Sequence, residues 1–194
     1  MALVVLIGAQ ATGKMTVGKE LEKRIDGKLL FNHQTIDLFA HYLGYNDYSF
    51  GLSDKVRKDL FKAFVANLGD NTTESIIFTV LVAFDQLGDI EFLREISNIF
   101  IEAKEKVYLI ELVSAIETRL ERNKHEDRLR EKPSKRDLVF SEKELLTSYE
   151  KYQLESVDNQ LKDLFPNVSC LKIDNTKLSP REISERIINY FNLA

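Results

Sequence analysis

Directly after the apolar run Leu3 to Ile7 the chain reads Gly8-Ala9-Gln10-Ala11-Thr12-Gly13-Lys14-Met15-Thr16, and a helical pattern follows in which Val17, Leu21 and Ile25 recur every fourth residue. A strand, a glycine-punctuated turn and a helix in that order constrain the fold more than anything else in the sequence. Gly8 and Gly13 can take backbone angles closed to other residues, so the turn can wrap with its N–H groups pointing inward. The helix adds the positive end of its dipole, and Lys14 adds a full charge at the same place. Such a loop is built to grip phosphate. Its nine residues, Gly8 to Thr16, are the candidate nucleotide-binding set. The spacing satisfies GxxxxGK[ST] up to its last position, where Met15 stands in place of a hydroxyl residue and the hydroxyl arrives one step later, at Thr16. Thr16 is therefore the candidate metal contact, directly or through water.

The remainder of the chain alternates apolar runs with helical patterns. After Leu3 to Ile7, the strand candidates are Leu29 to Phe31, Ser75 to Val82, Lys106 to Val113 and Val168 to Ile173. This alternation predicts an α/β fold of three layers, α/β/α, around a five-stranded parallel sheet. Ile36, Phe39, Ala40 and Leu43 line one intervening helix, Val56, Leu60, Phe64 and Leu68 a second, and Leu93, Ile96, Phe100 and Ala103 a third. Helix starts are read from three S-x-x-E boxes, Ser114 with Glu117, Ser141 with Glu144 and Ser179 with Glu182. Staples of Phe140 on Leu145 and Leu178 on Ile183 accompany the last two.

A length of 194 residues fits one domain, with an acceptor-binding region at about 32–71 and an inserted lid at about 119–137. The formal charge of −4 argues against a nucleic-acid partner. No stretch approaches the roughly 18 apolar residues of a membrane span, and no basic leader precedes the first strand. A cytoplasmic monomer or homodimer is the expectation. The single cysteine, Cys170, lies in an apolar run and reads as a core residue.

Arg119 to Asp137 breaks the pattern, with eight Lys or Arg, five Asp or Glu and only Leu129 apolar after Leu120. A segment so composed cannot bury a core of its own. It is either a solvated charged surface or a mobile source of cations for phosphate. Phosphoryl transfer requires charge stabilisation above all, and Arg122 and Arg128, with Arg130 and Arg136 beyond, are the candidates to join Lys14 in supplying it. Candidate acids follow the second and third strands, where open α/β sheets place their ligands. Asp37, four residues after His33, is either the group that takes the acceptor's proton or a partner of the helix dipole. His33 is either functional or a packing histidine. Asp85 is either a metal-side acid or a helix cap. Tyr45, Tyr48 and Phe50 stand near this region as pocket or core aromatics.

The loop, its continuation Val17-Gly18-Lys19-Glu20-Leu21, the segment Arg119-Leu120-Glu121-Arg122 to Arg128 and the tail Ile173-Asp174-Asn175-Thr176 with Leu178-Ser179-Pro180 resemble, in this order, the P-loop small-molecule and nucleotide kinases, the group of adenylate, shikimate and gluconate kinases. The resemblance is closest to shikimate-kinase-like proteins without a proven substrate. It implies ATP and Mg²⁺ as cofactors, a small acceptor as substrate, Arg119, Asn175 and Thr176 on the adenine side, and Asp85 beside Thr16 at the metal. Ala11 replaces a glycine common in these loops. The second strand ends Phe31-Asn32-His33 where shikimate kinases carry paired aspartates, and no Gly-Gly-Gly run follows the third, which argues against shikimate as the acceptor. An ATPase or nucleotide-sensing switch without an acceptor shares the loop but does not require an arginine-rich lid, and a purely structural nucleotide-binding module predicts no turnover.

Overall fold

Every residue of β1 (Ala2–Ile7) is buried, which is what an uninterrupted apolar run demands of a strand covered on both faces. The computed structural model describes residues 1–67, 69–131 and 136–193, with the side chains of Asp127, Arg128 and Glu131 outside that description. β1 pairs in parallel with β3 (Ser75–Val80) on one side and β4 (Lys106–Val113) on the other. β2 (Lys28–Phe31) and β5 (Ser169–Asp174) form the edges, giving five parallel strands in the order β2-β3-β1-β4-β5. The predicted fold is the observed one, with strand ends displaced by one or two residues.

Side chains alternate across the sheet and divide the core in two. Leu3, Val5 and Ile7 point to a face covered by α3 (Asp47–Ala66) and α4 (Leu87–Glu102), where Phe61, Phe78, Leu93 and Phe100 pack. Val4 and Leu6 point to the opposite face, covered by α1 (Lys14–Glu22) and α9 (Pro180–Phe191) through Val17, Leu21, Ile183 and Ile187. The remaining helices are α2 (His33–Leu43), α5 (Ile116–Asn123), α6 (Glu126–Glu131), α7 (Leu138–Lys151) and α8 (Gln160–Leu164). They sit beside the sheet or above the ends of its strands.

Two expectations are corrected. The buried stripe of α3 is not Val56, Leu60 and Phe64 but Phe61 and Phe64 with a polar continuation through Ser49, Ser53 and Arg57; Val56 and Leu60 are exposed and Leu68 lies outside the described residues. Phe61 decides the rotation, because its ring meets Phe78 and Phe100 edge-on at centroid distances of 5.5 and 5.9 Å. Of the three capping boxes only Ser179 with Glu182 forms. Ser114 donates instead to Asn175, and α5 starts from Ala115 without a side-chain cap. Ser141 lies inside α7, buried, bonding Asn123 at 3.1 Å, while Asp137 caps that helix through Phe140 N–H and leaves the Phe140 ring exposed. In both cases a buried partner on another element wins the hydroxyl that a local cap would have used.

Cys170 is buried on β5, and burial pushes its thiol up to about 11, in keeping with a core role. Among the described residues no helix is long and apolar enough to cross a membrane. The register of α3 is directly testable by urea denaturation. Phe61→Ala is expected to cost about 3–5 kcal/mol of stability, and Leu60→Ala less than about 0.5 kcal/mol.

Candidate active site

The turn between β1 and α1 has little freedom. A Cβ on Gly8 would lie 2.5 Å from the Leu112 carbonyl oxygen and 2.8 Å from Thr12 Oγ1, so no other residue fits beside β4 there. Ala11 (φ 59°) and Gly13 (φ 91°) both take left-handed backbone angles. For alanine that conformation costs about 1 kcal/mol, and the surrounding bonds hold it in place. Thr12 Oγ1 donates to Ala9 O at 3.1 Å, and Lys14 Nζ donates to Gly8 O and Ala9 O at 2.5 and 2.7 Å. The lysine is therefore folded against the loop rather than directed outward. No side chain caps α1 and no acid occupies its first turn, which leaves the positive helix end turned to the cleft. A glycine-walled turn, an uncapped helix start and an ammonium at one point form a set that fits nucleotide phosphates.

The loop is braced from the other side of the sheet. Asn175, just past β5, donates through Nδ2 to Thr12 O at 2.7 Å, and its Oδ1 accepts from Ser114 Oγ and from Arg122 NH1 at 3.2 Å. Arg122 on α5 also donates to Ser114 Oγ at 3.0 Å and to Asn175 O at 2.9 Å. Partial burial lowers its pKa from the usual guanidinium range, without threatening its charge at neutral pH. Arg119, on the same helix, is completely buried: Nε donates to Gln10 O at 2.9 Å and the guanidinium stands 5.6 Å from the Tyr149 ring centre. Its two terminal nitrogens have no hydrogen-bond partner among the described residues.

These contacts open onto a cleft of about 860 Å³ at the carboxyl ends of the strands. Gln10 to Val17 form its middle. Towards β5 it is lined by Arg122, Asn175, Leu178 and Pro180; towards β2 by Asn32, His33 and Ile36, by Phe50, Asp54 and Arg57 of α3, and by Asp89 and Phe92 of α4. Arg57 ties this second half together. Its Nε reaches Thr35 Oγ1 at 2.8 Å, NH1 reaches Asp54 Oδ1 at 3.0 Å and NH2 reaches Asn32 O at 2.7 Å. Burial brings the guanidinium pKa down to about 10, against the opposing pull of Asp54. Asp54 is raised by burial, with Arg57 pulling it down and Asp89 pushing it up. Asp89 is raised by burial too, offset by the Ala83 N–H that it accepts at 2.8 Å.

The structure gathers Lys14, Met15, Thr16, Arg122 and Asn175 at the cleft as expected. Other candidates stand elsewhere. Asp37 is outside the lining; its Oδ1 lies 3.2 Å from His33 Nδ1 and accepts from Tyr45 OH at 3.0 Å, so it orients the histidine that does face the cleft. Asp85 is exposed in the turn after β3, and Asp89, four residues on, is the acid of that region in the cleft wall. Thr176 Oγ1 accepts from Ala115 N–H at 3.0 Å and donates to Asp174 at 2.6 Å, closing the turn after β5 outside the lining. Arg119 is walled in behind the loop, which corrects the expectation that the segment from residue 119 lacks packing of its own. The Arg128 side chain lies outside the described residues. Phe50 lines the cleft, whereas Tyr45 and Tyr48 are exposed beside it. The residues that sequence reasoning missed are Asp54, Arg57 and Asp89. A signal for one of them existed in the four-residue spacing of Ser49, Ser53 and Arg57, a polar stripe on a helix read only for its apolar one.

Among the described residues no group of three or more His, Cys, Asp or Glu is placed to hold a metal by itself. One or two carboxylates beside a phosphate site are what Mg²⁺ uses, and Thr16 with the acids of the cleft meets that description.

No family model matches the chain, and no curated protein matches it in sequence. Solved structures do match along the whole length. A candidate kinase from Chloroflexus aurantiacus aligns at 18% identity over 98% of this chain and 96% of its own, with a TM-score of 0.60. A sugar kinase from Janibacter sp. HTCC2649 aligns at 15% identity over 100% and 96%, TM-score 0.59. The shikimate kinase of Acinetobacter baumannii, solved with shikimate, aligns at 18% identity over 98% and 92%, TM-score 0.57. The fold is the P-loop kinase fold. At these identities the likeness is one of architecture.

A carboxylate raised by burial is a stability liability whose sign is fixed. The folded state holds its proton to higher pH than the unfolded state does, so stability falls as pH rises above the unfolded value of 3.8. Asp89→Asn, whose amide oxygen can still accept the Ala83 N–H, is therefore expected to raise the denaturation midpoint at pH 7, with the gain shrinking as pH falls and gone by about 4. Urea unfolding of both proteins across pH 3 to 8 checks this.

Proposed function

We propose that this chain is an ATP-dependent phosphotransferase that moves the γ-phosphoryl group from a Mg²⁺-bound nucleotide to a small hydroxyl- or phosphate-bearing metabolite. The observation that carries this reading is that a phosphate-gripping loop and a second polar compartment open into a single cleft. An ATPase or switch requires the first and has no use for the second. The kinase fold of the structural neighbours supports the same reading.

In this reading the N–H groups of the loop and the start of α1 hold the phosphates, and Lys14 leaves the carbonyls of Gly8 and Ala9 to neutralise them. Arg122, held against the loop beside Thr12 and Gly13, is a second cation already oriented by Asn175 and Ser114. Leu178 and Pro180 offer an apolar wall to a base on the β5 side. Bound nucleotide with Mg²⁺ would supply the phosphoryl group and neutralise its charge, with Thr16 and a cleft carboxylate as protein ligands. The acceptor would enter over β2 and β3, where Asp54 and Asp89 are the acids available to receive its proton. Their desolvation keeps their proton affinity above that of an exposed carboxylate, which favours this role.

Release of ADP over a panel of small hydroxyl compounds tests the proposal. Lys14→Ala is expected to lower kcat by about 100-fold or more, because a preorganised cation at developing charge is worth roughly 3 kcal/mol or more. The two loop hydrogen bonds lost with it should cost only about 1–2 kcal/mol of stability. Near-normal turnover in a folded Lys14→Ala protein would overturn the assignment.

A further inference from the structure

The acceptor half of the cleft holds one acid without an ion pair among the described residues and one guanidinium that is fully engaged. Its one guanidinium among the described lining residues, Arg57, is engaged at all three nitrogens, by Thr35, Asp54 and Asn32. With Asp54 it forms a closed pair that presents no net charge. Asp89, in the same wall, has no ion pair among the described residues and accepts a single backbone N–H, that of Ala83. The remaining ionisable group of this half is His33, whose ring is matched to Asp37.

A carboxylate in the first turn of α4 with no ion pair among the described residues, beside a guanidinium that is fully engaged, is the complement of a ligand that brings donors and positive charge. A desolvated acceptor left without a donor is costly, and a ligand that satisfies it recovers that cost on binding. A carboxylate on the ligand would meet the reverse situation, an engaged guanidinium and an unbalanced acid. Phe50 and Phe92 line the same half, and aromatic rings attract a cation taken out of water. We propose that the phosphoryl acceptor is an amino alcohol, such as an amino sugar, whose protonated amine is received by Asp89, which leaves Asp54 as the acid that takes the hydroxyl's proton. This inference rests on the phosphotransferase reading above and specifies its acceptor.

The test uses matched sets of amine, neutral and carboxylate compounds on three scaffolds: a hexose (glucosamine, glucose, glucuronate), a cyclohexane polyol and a nucleoside. Each is assayed for ADP release and for thermal stabilisation in the presence of AMP-PNP. The expected result is that the amine member of at least one set exceeds its neutral counterpart about tenfold or more in kcat/KM. In Asp89→Asn the KM for that amine should rise about tenfold, while the KM for its neutral counterpart stays unchanged. Preference for the neutral or the carboxylate member overturns the inference. So does silence from every set in a protein that AMP-PNP alone stabilises, and that result leaves the nucleotide half standing. Absence of stabilisation by AMP-PNP overturns the phosphotransferase reading and the acceptor with it. Retained discrimination between amine and neutral compounds in Asp89→Asn removes Asp89 from the role.

Discussion

The hydrogen bond from Asn175 Nδ2 to Thr12 O is the fixed point on which the cleft depends. A loop that turns its N–H groups inward leaves its carbonyl oxygens facing outward, and those need donors of their own. Asn175 supplies one for Thr12, Lys14 supplies two for Gly8 and Ala9, and Arg119 supplies one for Gln10. The phosphate-facing surface is thus set by what happens on its far side. It also explains how Ala11 tolerates a left-handed angle that a glycine would take at no steric cost: the residues on either side of it are held through their carbonyls.

This bracing makes part of the arginine-rich segment structural. Arg119 is fully buried, lowered in pKa by desolvation first of all, and set against Tyr149 and the charge of Glu155. A guanidinium is a costly way to hold one carbonyl if packing were the only purpose, since its terminal nitrogens have no hydrogen-bond partner among the described residues. What it provides is reach: α5 is tied to the loop at Gln10 by Arg119 and to Thr12, through Asn175, by Arg122. Movement of α5 is therefore coupled mechanically to the shape of the phosphate site. The route runs through two residues that sequence composition alone places on either a solvated surface or a mobile lid.

The fold was legible because it rests on apolar periodicity, and periodicity survives in a single sequence. β1 is an uninterrupted apolar run, β4 is apolar from Val107 to Val113 except at Glu111, and the glycine turn announces its own geometry. The cleft was half legible. Its nucleotide side is written in residues that are close together in the chain and have few alternative uses. Its acceptor side is assembled from Asn32, Asp54, Arg57 and Asp89, which come from three segments far apart in sequence, and each residue taken alone is ordinary for a helix surface. The same logic explains the failed capping boxes: Ser114 and Ser141 fit a local rule, but each has a tertiary partner in Asn175 or Asn123 that the local pattern cannot reveal.

The two halves of the cleft are electrostatically opposed, and that opposition has a consequence for order of events. Lys14 and Arg122 stand on the donor side, while Asp89 lacks an ion pair among the described residues on the acceptor side, with the strand ends of β1 and β3 between them. Under the proposed function an anionic nucleotide would be attracted to one half and repelled by the other, so it would seat in one orientation, phosphates towards Lys14 and away from Asp89. Once seated, its negative charge would strengthen the pull of the acceptor half on a cation, because both act across a small, partly desolvated space where screening is weak. Donor binding would then improve acceptor binding without any conformational change, and by linkage the acceptor would improve donor binding to the same degree. The polar stripe of α3 and the first turn of α4 are what give the cleft this polarity. They complete the charge arrangement that the loop begins.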